Sequence, residues 1–542
     1  MYAEKPWLRF YDPTVRHSLD YPVKPLSQLL AEAAQKAPQQ AAYSYGGKES
    51  TYAELEQLTN RLASSLHLLG VKKGSRVAVM LPNCPQFVIS YYAIVRVGAI
   101  VVNVNPLYTE RELLFQLRDA GAETIITFVE AIPRVSSVRE QSPLRNVIVT
   151  SLLSPKTDVP EGCLCFNGLS NAASAEVPDA DIKAREDVAV LQYTGGTTGV
   201  SKGAMLTHYN LVSNAIQLHE WCAGLKFEKI LTVLPLFHVY GMTCCMNLAL
   251  ITGSTMVLLP RFEPKEVLEV IRTCRPTFFP GVPTMYTALF NHPEAEQYDL
   301  TVVEFYNSGA APMPLELMGT IQRRLAGKSV YSEGYGLSEA SPVTHSNPIH
   351  RIKSGSVGVP YPDTECRVVD METGEEDLPP GQAGELVISG PQVMKGYWNM
   401  PVETNKALRN GWLYTGDIAM MDEEGYFYIV DRKKDMIIAS GYNVYPREVE
   451  ETIYELPQVQ EAVVVGVPDK YRGETVKAYI VLKAGQGLTA EEIIRFCQEQ
   501  LAAYKVPKIV EFREELPKSA VGKLLRRLLV EEDKKRLHPE QT

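Results

Sequence analysis

Hydrophobic residues recur every three to four positions in the segment that begins at Thr51. Thr51 and Glu54 have the spacing of a capping box, and leucines follow from Leu55 to Leu69 until Gly70 ends the pattern. Because this spacing puts the leucines on one face of a helix, it predicts an amphipathic helix packed against a core.

Short β-rich runs alternate with helix-like segments along most of the chain. Residues 76–81 and 99–104 have β character and flank a largely apolar helical stretch at 87–97. Further β-rich runs, each beside a helix-like segment, lie at residues 124–128, 188–193, 230–234, 255–259 and 277–280. This rhythm of strand, helix and strand is typical of parallel α/β sheets. We therefore predict one large N-terminal α/β domain with more than one sheet.

The pattern changes twice in the second half of the chain. From about residue 384 to 430, short strands are separated by Gly, Asn and Asp turns, which predicts a small β-rich subdomain at about 355–433. Beyond Asp431, helical segments at 444–456 and 488–501 flank two apolar strands, as in a compact α+β unit of about 110 residues. The predicted domains are residues 1–433 and 434–542.

Composition and charge narrow the function classes. The chain has 542 residues, of which 45% are hydrophobic and 22% charged, as in ordinary globular proteins. Its formal net charge of -10 offers no basic field for a polyanion, which argues against a nucleic-acid-binding protein. Residues 431–542 contain 19 basic and 19 acidic residues, so the preceding part carries the whole negative charge. The C-terminal segment is therefore compositionally distinct.

Cysteine usage and the terminus bear on location. The nine cysteines are odd in number and show no paired CxxC spacing, which disfavours a disulfide framework or a zinc site and fits a reducing cytoplasm. The N-terminus lacks the order of a signal peptide, and no window reaches the roughly 20 apolar residues of a membrane span. We expect a soluble cytoplasmic protein; a peripheral membrane contact and a homodimer both stay open.

A loop rich in glycine, serine and threonine follows the strand at 188–193 and contains Lys202. Such a loop can turn backbone N–H groups and hydroxyls toward phosphate oxygens, while Lys202 supplies a point charge. By composition alone, a flexible surface loop is the commoner explanation. The spacing differs from the Walker loop GxxxxGK[ST], so a P-loop ATPase is not indicated.

The order of residues in YTGGTTGVSKGAMLTH resembles the phosphate-binding signature of the adenylate-forming superfamily of acyl-CoA synthetases, luciferases and adenylation domains. Other phrases match in the same order from NPLYTERELLFQLRDAGA near residue 105 to PKSAVGKLLRR near 517, most strongly those of bacterial long-chain fatty acid:CoA ligases. The resemblance implies an enzyme that uses ATP with Mg²⁺ to activate a fatty acid as acyl-AMP and then transfers the acyl group to CoA.

The resemblance also implies the nucleotide site, residue by residue. Tyr335 would stack on adenine, Ser338 would bond the α-phosphate, and Glu339 would help hold Mg²⁺. Asp417 would accept from both ribose hydroxyls, and Arg432 would reinforce that contact; alone, these two lie in runs typical of a turn and a solvated charged segment. The remaining implied ATP-binding residues are Thr194, Gly195, Gly196, Thr197, Thr198, Gly199 and Lys202 on the phosphate side and Gly309, Ala310, Ala311 and Gly336 on the adenine side.

The C-terminal matches imply a domain that moves. Lys434 matches the family's hinge, and Gly441 and Tyr442 lie in a run that resembles the loop lining the pantetheine tunnel for CoA. Lys523 matches the lysine that drives adenylation. Together with Glu339 and Lys202 from the motifs above, it forms the set of predicted catalytic residues. Taken alone, Lys523 reads as a surface lysine.

The predicted acyl pocket consists of two mostly apolar runs, 234–242 and 278–284, without Arg, Lys or Asp. This composition disfavours an amino-acid substrate, and the resemblance to bacterial long-chain fatty acid:CoA ligases implies a long-chain fatty acid. An aryl, coumarate-like acid, a medium-chain acid, another acyl acceptor and a non-catalytic binding protein remain alternatives, and a structural histidine remains open for His238. The predicted pocket residues are His238, Tyr240, Met242, Gly281 and Val282.

Overall fold

The structure is a computed structural model and describes residues 2–152, 159–172, 179–194, 201–439, 442–469, 472–520 and 522–537. Its strands are β1 (Ala41–Tyr45), β2 (Lys48–Thr51), β3 (Arg76–Val79), β4 (Ile100–Asn103), β5 (Thr124–Phe128), β6 (Asn146–Thr150), β7 (Leu164–Cys165), β8 (Val188–Thr194), β9 (Lys202–Thr207), β10 (Lys229–Thr232), β11 (Thr255–Leu258), β12 (Phe278–Gly281), β13 (Phe305–Ser308), β14 (Val330–Gly336), β15 (Val343–Ser346), β16 (Val359–Pro360), β17 (Glu365–Val369), β18 (Gly384–Ser389), β19 (Gly396–Tyr397), β20 (Leu408–Arg409), β21 (Trp412–Met421), β22 (Phe427–Arg432), β23 (Ile437–Ala439), β24 (Tyr442–Val444), β25 (Val459–Asp469), β26 (Gly473–Leu482) and β27 (Ile509–Phe512).

The helices lie between these strands in the alternating order that the sequence predicts. They are α1 (Gln28–Lys36), α2 (Tyr52–Leu68), α3 (Pro85–Arg96), α4 (Glu110–Ala120), α5 (Ile132–Arg139), α6 (Phe166–Ser170), α7 (His208–Trp221), α8 (Val239–Gly241), α9 (Leu248–Thr252), α10 (Pro264–Cys274), α11 (Pro283–Phe290), α12 (Leu315–Leu325), α13 (Pro401–Ala407), α14 (Pro446–Tyr454), α15 (Ala490–Gln500) and α16 (Arg526–Leu537). A π-helical stretch, Met242–Asn247, joins α8 to α9.

The predicted first helix, α2, begins as its sequence pattern indicates. The Thr51 side chain accepts from the Glu54 N–H, and the Glu54 carboxylate accepts from the Thr51 N–H at 2.8 Å. These reciprocal bonds satisfy two backbone donors that a helix start otherwise leaves without partners. Leu55, Leu62 and Leu66 are fully buried, which confirms the predicted core-facing stripe.

Two large sheets form the N-terminal part of the molecule. Sheet A has nine strands in the order β16-β15-β14-β13-β12-β10-β11-β1-β2, and sheet B has eight in the order β19-β9-β8-β4-β3-β5-β6-β7. Strands β3 to β6 run parallel, with α3, α4 and α5 as their connections, which confirms the predicted α/β class with more than one sheet. The predicted strand ends differ from the observed ones by a few residues.

Two smaller sheets follow. Sheet C contains β17, β18, β21, β20 and β22 and corresponds to the predicted β-rich region, although β19 from the same stretch pairs with β9 of sheet B. Sheet D contains β24, β23, β26, β25 and β27 and carries the C-terminal α+β unit. The described hydrophobic clusters either end before residue 430 or begin after residue 436, so sheet D packs on a core of its own.

The length and hydropathy of the helices bear on whether any of them could cross a bilayer. None of those in the described part of the chain has the length and apolar character of a membrane-crossing segment.

Gly358 connects sheets A and C and offers a test of this packing. It has a φ of +88°, and a Cβ there would overlap the backbone of Ser346 and Asn347. Gly253 has a similar φ of +72° but no atom within 4 Å of such a Cβ. We expect Gly253→Ala to cost about 1–2 kcal/mol, the strain of a left-handed alanine, and Gly358→Ala to cost clearly more. Thermal unfolding of the two variants measures the difference; equal midpoints would mean that the close approach is not constraining.

Candidate functional site

A carboxylate, a guanidinium and a phenol meet where sheets A and C adjoin. The antiparallel register of β21 and β22 puts Asp417 opposite Arg432, whose Nε lies 3.4 Å from Asp417 Oδ1. Tyr335, near the end of β14, donates its hydroxyl to Asp417 Oδ2 at 2.6 Å. Burial and the neighbouring Asp417 raise the pKa of Tyr335 well above its usual range, so the phenol stays a donor. The structure thus brings together three of the predicted site residues, although Tyr335 precedes the other two by more than 80 positions.

The loop after β13 lies beside this group. Gly309 donates its N–H to the Gly281 carbonyl at 3.2 Å, and a Cβ at Gly309 would lie 3.2 Å from the Tyr240 ring. The Tyr240 hydroxyl donates toward Asn307, 2.8 Å from its side-chain oxygen. Ala310 follows with a φ of +67°. The close ring explains why the loop needs glycine at 309, and Ala311, next in line, is half-buried.

Lys202 and Glu339 face the same tyrosine. Lys202 opens β9, and its Nζ lies 2.5 Å from Glu403 Oε2 and 5.1 Å from the centre of the Tyr397 ring. The Tyr397 hydroxyl donates to Glu339 Oε1 at 2.7 Å. Ser338 begins the short 3₁₀ turn Ser338–Ala340, which follows Gly336 at the end of β14. The predicted phosphate-side and metal-side residues therefore share one neighbourhood.

The phosphate loop is described only at its two ends. Thr194, the last residue of β8, pairs with Lys202 across the antiparallel β8–β9 hairpin. The Ser201 hydroxyl donates to the Thr194 carbonyl at 2.6 Å. The predicted residues between these ends, Gly195, Gly196, Thr197, Thr198 and Gly199, lie outside the described residues.

Lys523 reaches the site from the C-terminal unit. The Ser519 N–H donates to the Lys523 carbonyl at 2.8 Å, and the Ser519 hydroxyl oxygen accepts from the Lys523 N–H at 3.1 Å. The Thr284 hydroxyl donates to the Gly522 carbonyl at 3.2 Å and so docks this loop at the start of α11. A lysine that reads as a surface residue by its sequence is thereby placed inside the predicted site.

Several charged side chains act on the Lys523 ammonium. Burial lowers the pKa of its ammonium to about 7, and the charge of Arg432 acts in the same direction. Lys434 and Arg526 add to this effect, whereas Asp417 opposes it. An anion placed among these cations would therefore be stabilised and would favour the protonated lysine.

The predicted acyl-pocket residues include His238, which lies near Lys523. His238 Nδ1 accepts from the Tyr240 N–H at 3.3 Å. Burial, and to a smaller extent the charge of Lys523, lowers the pKa of His238 to about 4, so its ring is neutral at pH 7. Met242 is buried at the start of the π-helical stretch, and Val282 is buried beside Gly281 at the end of β12.

The hinge and CoA predictions fall in the C-terminal unit. Lys434 is exposed just after β22. Tyr442 is 57% exposed, and its ring stacks on Tyr504 at 4.6 Å within that unit, so the structure does not bring it to Lys523. Gly441 lies outside the described residues.

Sequence reasoning missed several neighbours of the site. Tyr397 and Glu403 carry no local signal of a role in the site, and Thr284 lies at the end of the predicted apolar run 278–284. Glu333, two residues before Tyr335 in β14, is 5% exposed, and burial raises its pKa to about 7. A search for polar residues in the predicted apolar runs could have found Thr284; the others depend on long-range contacts.

The residues present fit a magnesium ion that is shared with a phosphorylated ligand. The described residues contain no group of three or more His, Cys, Asp or Glu able to hold a metal by themselves. Glu339 offers one carboxylate, a hard oxygen ligand close to Lys202. Mg²⁺ is commonly held by one or two carboxylates plus substrate phosphates, which agrees with this donor set.

Known proteins match this chain over most of its length. The family model described as AMP-binding enzyme matches residues 30–398, and the one described as AMP-binding enzyme C-terminal domain matches residues 448–523. The chain is 47% identical over 563 aligned residues to a long-chain-fatty-acid–CoA ligase of Bacillus subtilis (strain 168), covering 99% of this chain and 100% of that protein. It is 39% identical over 498 residues to a feruloyl-CoA synthase of Amycolatopsis sp, covering 91% and 96% respectively.

A solved structure extends the comparison. ATP-bound MatB from Rhodopseudomonas palustris superposes with a TM-score of 0.84 at 31% identity, covering 94% of this chain and 99% of that one. The large N-terminal domain of sheets and the small C-terminal domain are therefore confirmed as the fold.

The low pKa of Lys523 predicts a pH-dependent effect on stability. Its folded-state pKa of about 7 lies below the ordinary 10.5, so the unfolded chain binds the additional proton between these values. The resulting loss of folding stability is therefore greatest below pH 7 and disappears as the pH approaches 10.5. We expect Lys523→Met to melt at a higher temperature than the natural protein at pH 6.5, and this difference to shrink by pH 10.

A matched variant separates this effect from general surface effects. Lys508 is an exposed lysine of the same C-terminal unit, and Lys508→Met should show no such pH-dependent difference. If the melting temperature of Lys523→Met differs from that of the natural protein by the same amount from pH 6.5 to 10, the lowered pKa of Lys523 is contradicted.

Proposed function

We propose an activity for this chain on the premise that it belongs to the AMP-binding enzyme family. The chain is a long-chain fatty acid:CoA ligase that first joins a fatty acid to ATP, forming acyl-AMP and pyrophosphate. The CoA thiol then attacks the acyl carbonyl and forms acyl-CoA, releasing AMP. The observation that carries the proposal is the convergence of Lys523 with Asp417 and Arg432 in one space, together with 47% identity to a full-length ligase of this kind.

In this proposal ATP lies where sheets A and C adjoin, beside Asp417, Arg432 and Tyr335. Asp417 accepts from the ribose hydroxyls, and Arg432 keeps that carboxylate oriented from 3.4 Å away. Tyr335 stacks on adenine beside the loop of Gly309, Ala310 and Ala311, and Gly336 lets the chain pass close to the base. The contact of Tyr335 with Asp417 at 2.6 Å supports this arrangement, because it joins the adenine side to the ribose side.

The phosphates lie toward the β8–β9 hairpin. Lys202 and the loop from Thr194 through Gly195, Gly196, Thr197, Thr198 and Gly199 bind the β- and γ-phosphates, and Ser338 donates to the α-phosphate. Glu339 holds Mg²⁺, which when bound offsets charge on the phosphates and the departing pyrophosphate. Lys202 exchanges Glu403 for the phosphates, and Glu403 keeps a second cation, since Lys406 Nζ lies 2.9 Å from its Oε1.

Lys523 acts on the first step. A carboxylate oxygen attacks the α-phosphorus, the P–O bond of acyl-AMP forms, and the bond to pyrophosphate breaks without a proton transfer. Two anions approach each other in this step, so the Lys523 ammonium stabilises the charge that collects at the α-phosphate. The anionic ligand raises the pKa of Lys523 from its low value of about 7 and keeps it charged.

The fatty acid lies beside His238, Tyr240, Met242, Gly281 and Val282. The buried, neutral His238 brings no charge against the acyl carboxylate, and the other residues offer an apolar surface. An aryl acid is the second candidate, favoured by the feruloyl-CoA synthase at 39% identity.

The second step requires the C-terminal unit to move. We take residues 1–433 and 434–542 as the two domains, with a β-rich subdomain at about 355–433 and the hinge at Lys434. Their separate cores support rotation as rigid bodies. Rotation would withdraw Lys523 and bring Gly441 and Tyr442 to the site to line the path of CoA; the exposure of Tyr442 leaves its ring available. A cytoplasmic location completes the proposal and is supported by nine cysteines without a disulfide.

Substrate choice is tested by pyrophosphate release from ATP and Mg²⁺ with saturated acids from acetate to stearate, and with coumarate and ferulate. We expect turnover to require CoA and to peak with long chains. A peak at the aryl acids would transfer the substrate assignment to the second candidate, and no release with any acid would refute the ligase activity.

The role of Lys523 is tested on the two half-reactions. Lys523→Ala should slow acyl-AMP formation at least about 10²-fold, the usual loss for a group that stabilises transition-state charge. The same variant should transfer the acyl group from supplied acyl-AMP to CoA at nearly the natural rate. Lys508→Ala is the control, and equal loss of both half-reactions in Lys523→Ala would contradict the assigned role.

A further inference from the structure

We propose that Tyr397 is a positioning residue for the metal and the phosphates, aiming the Glu339 carboxylate with its hydroxyl and supporting the Lys202 ammonium with its ring. The inference rests on the proposed function, because it assigns how that site prepares for ATP and Mg²⁺. Its starting point is one side chain in contact with two groups of opposite charge.

The geometry places Tyr397 between these two groups. Its hydroxyl donates to Glu339 Oε1 at 2.7 Å, which leaves Oε2 as the oxygen offered to a metal. Lys202 Nζ lies over the Tyr397 ring, 5.1 Å from its centre. A cation at this distance from an aromatic face is attracted to it while it remains free to change its anionic partner.

The backbone holds the Tyr397 ring at a defined distance from the phosphate loop. Strand β19 pairs with β9, so that Tyr397 lies opposite Ala204, two residues after Lys202. The Tyr397 N–H donates to the Thr404 hydroxyl oxygen at 2.9 Å at the start of α13. The ring is 9% exposed. Tyr397 is therefore anchored to the same hairpin that carries the loop it supports.

The hydroxyl is a permanent donor. An ionised carboxylate can only accept, so the Tyr397 O–H is the donor in this 2.7 Å contact. A fixed donor on one carboxylate oxygen orients the other, and losing such an outer partner of a metal ligand typically costs about 10–100-fold in metal affinity or activity.

Tyr397→Phe isolates the hydroxyl, because the ring under Lys202 remains. We expect the Mg²⁺ concentration for half-maximal pyrophosphate release to rise about tenfold, with the KM for the fatty acid unchanged. Mn²⁺ binding to the enzyme with a non-hydrolysable ATP analogue, followed by electron paramagnetic resonance, should weaken by a similar factor. Tyr397→Leu also removes the ring and should additionally weaken binding of the analogue in EDTA, where no metal contributes.

The chain offers a matched control. The Tyr298 hydroxyl donates to Glu269 at 2.5 Å, and Lys265 Nζ lies 5.5 Å from the Tyr298 ring centre, so the same three groups occur outside the site. Tyr298→Phe should leave both metal measurements unchanged. In a Glu339→Gln background, Tyr397→Phe should have no further effect on Mn²⁺ binding, which distinguishes positioning of Glu339 from a general loss of folding.

The outcomes separate this inference from the proposed function. Unchanged Mn²⁺ affinity in Tyr397→Phe, or an equal effect of Tyr298→Phe, would overturn the role of Tyr397. Absence of pyrophosphate release by the natural protein would overturn the ligase activity, while Mn²⁺ binding would still test Tyr397.

Discussion

The cluster of cations around Lys523 is the constraint on which the rest of the site depends. Arg432, Lys434 and Arg526 all lie close enough to Lys523 to lower its pKa, and Asp417 opposes them. Such an arrangement is unfavourable for the empty protein, because charges of one sign repel where solvent screens them poorly. It becomes favourable when a polyanion enters, which suits a reaction that joins two anions. The protein carries a net charge of -10, so this cationic space is a local feature.

The same space exists only where two parts of the chain meet. Asp417 and Arg432 belong to sheet C, whereas Lys523 belongs to the unit built on sheet D, whose core is separate. The described contacts across the junction include single hydrogen bonds, such as Thr284 to Gly522 and the Leu315 N–H to Glu451 at 3.4 Å. Contacts of this kind are typical of interfaces between domains of one chain.

Within the N-terminal part, the predicted site residues are held by strands; the hydrophobic pattern predicted β8 and the β-rich region, but neither β9 nor β14. Strand β14 brings Tyr335 to Asp417, and the β21–β22 pair aligns Asp417 with Arg432. The hairpin of β8 and β9 brings Thr194 back to Lys202. Tyr335, Lys202 and Arg432 lie at or near the ends of their strands, where the regular pairing stops, whereas Asp417 lies within β21.

The sequence alone determined the α/β class, the order of the elements, the amphipathic α2 with its capping box, and, through resemblance, the residues that the structure gathers around Lys523. These features follow from periodicity and from motifs, which are local in the chain. Only the tertiary structure decided that Tyr397 joins Glu339 to Lys202, that Glu403 pairs with Lys202, that Thr284 docks the Lys523 loop, and that Tyr442 stands away from it. Lys202 and Glu403 are 201 positions apart. Their contact, like the pKa of Lys523, depends on distances and burial that arise only when separate elements pack together, and no local pattern encodes them.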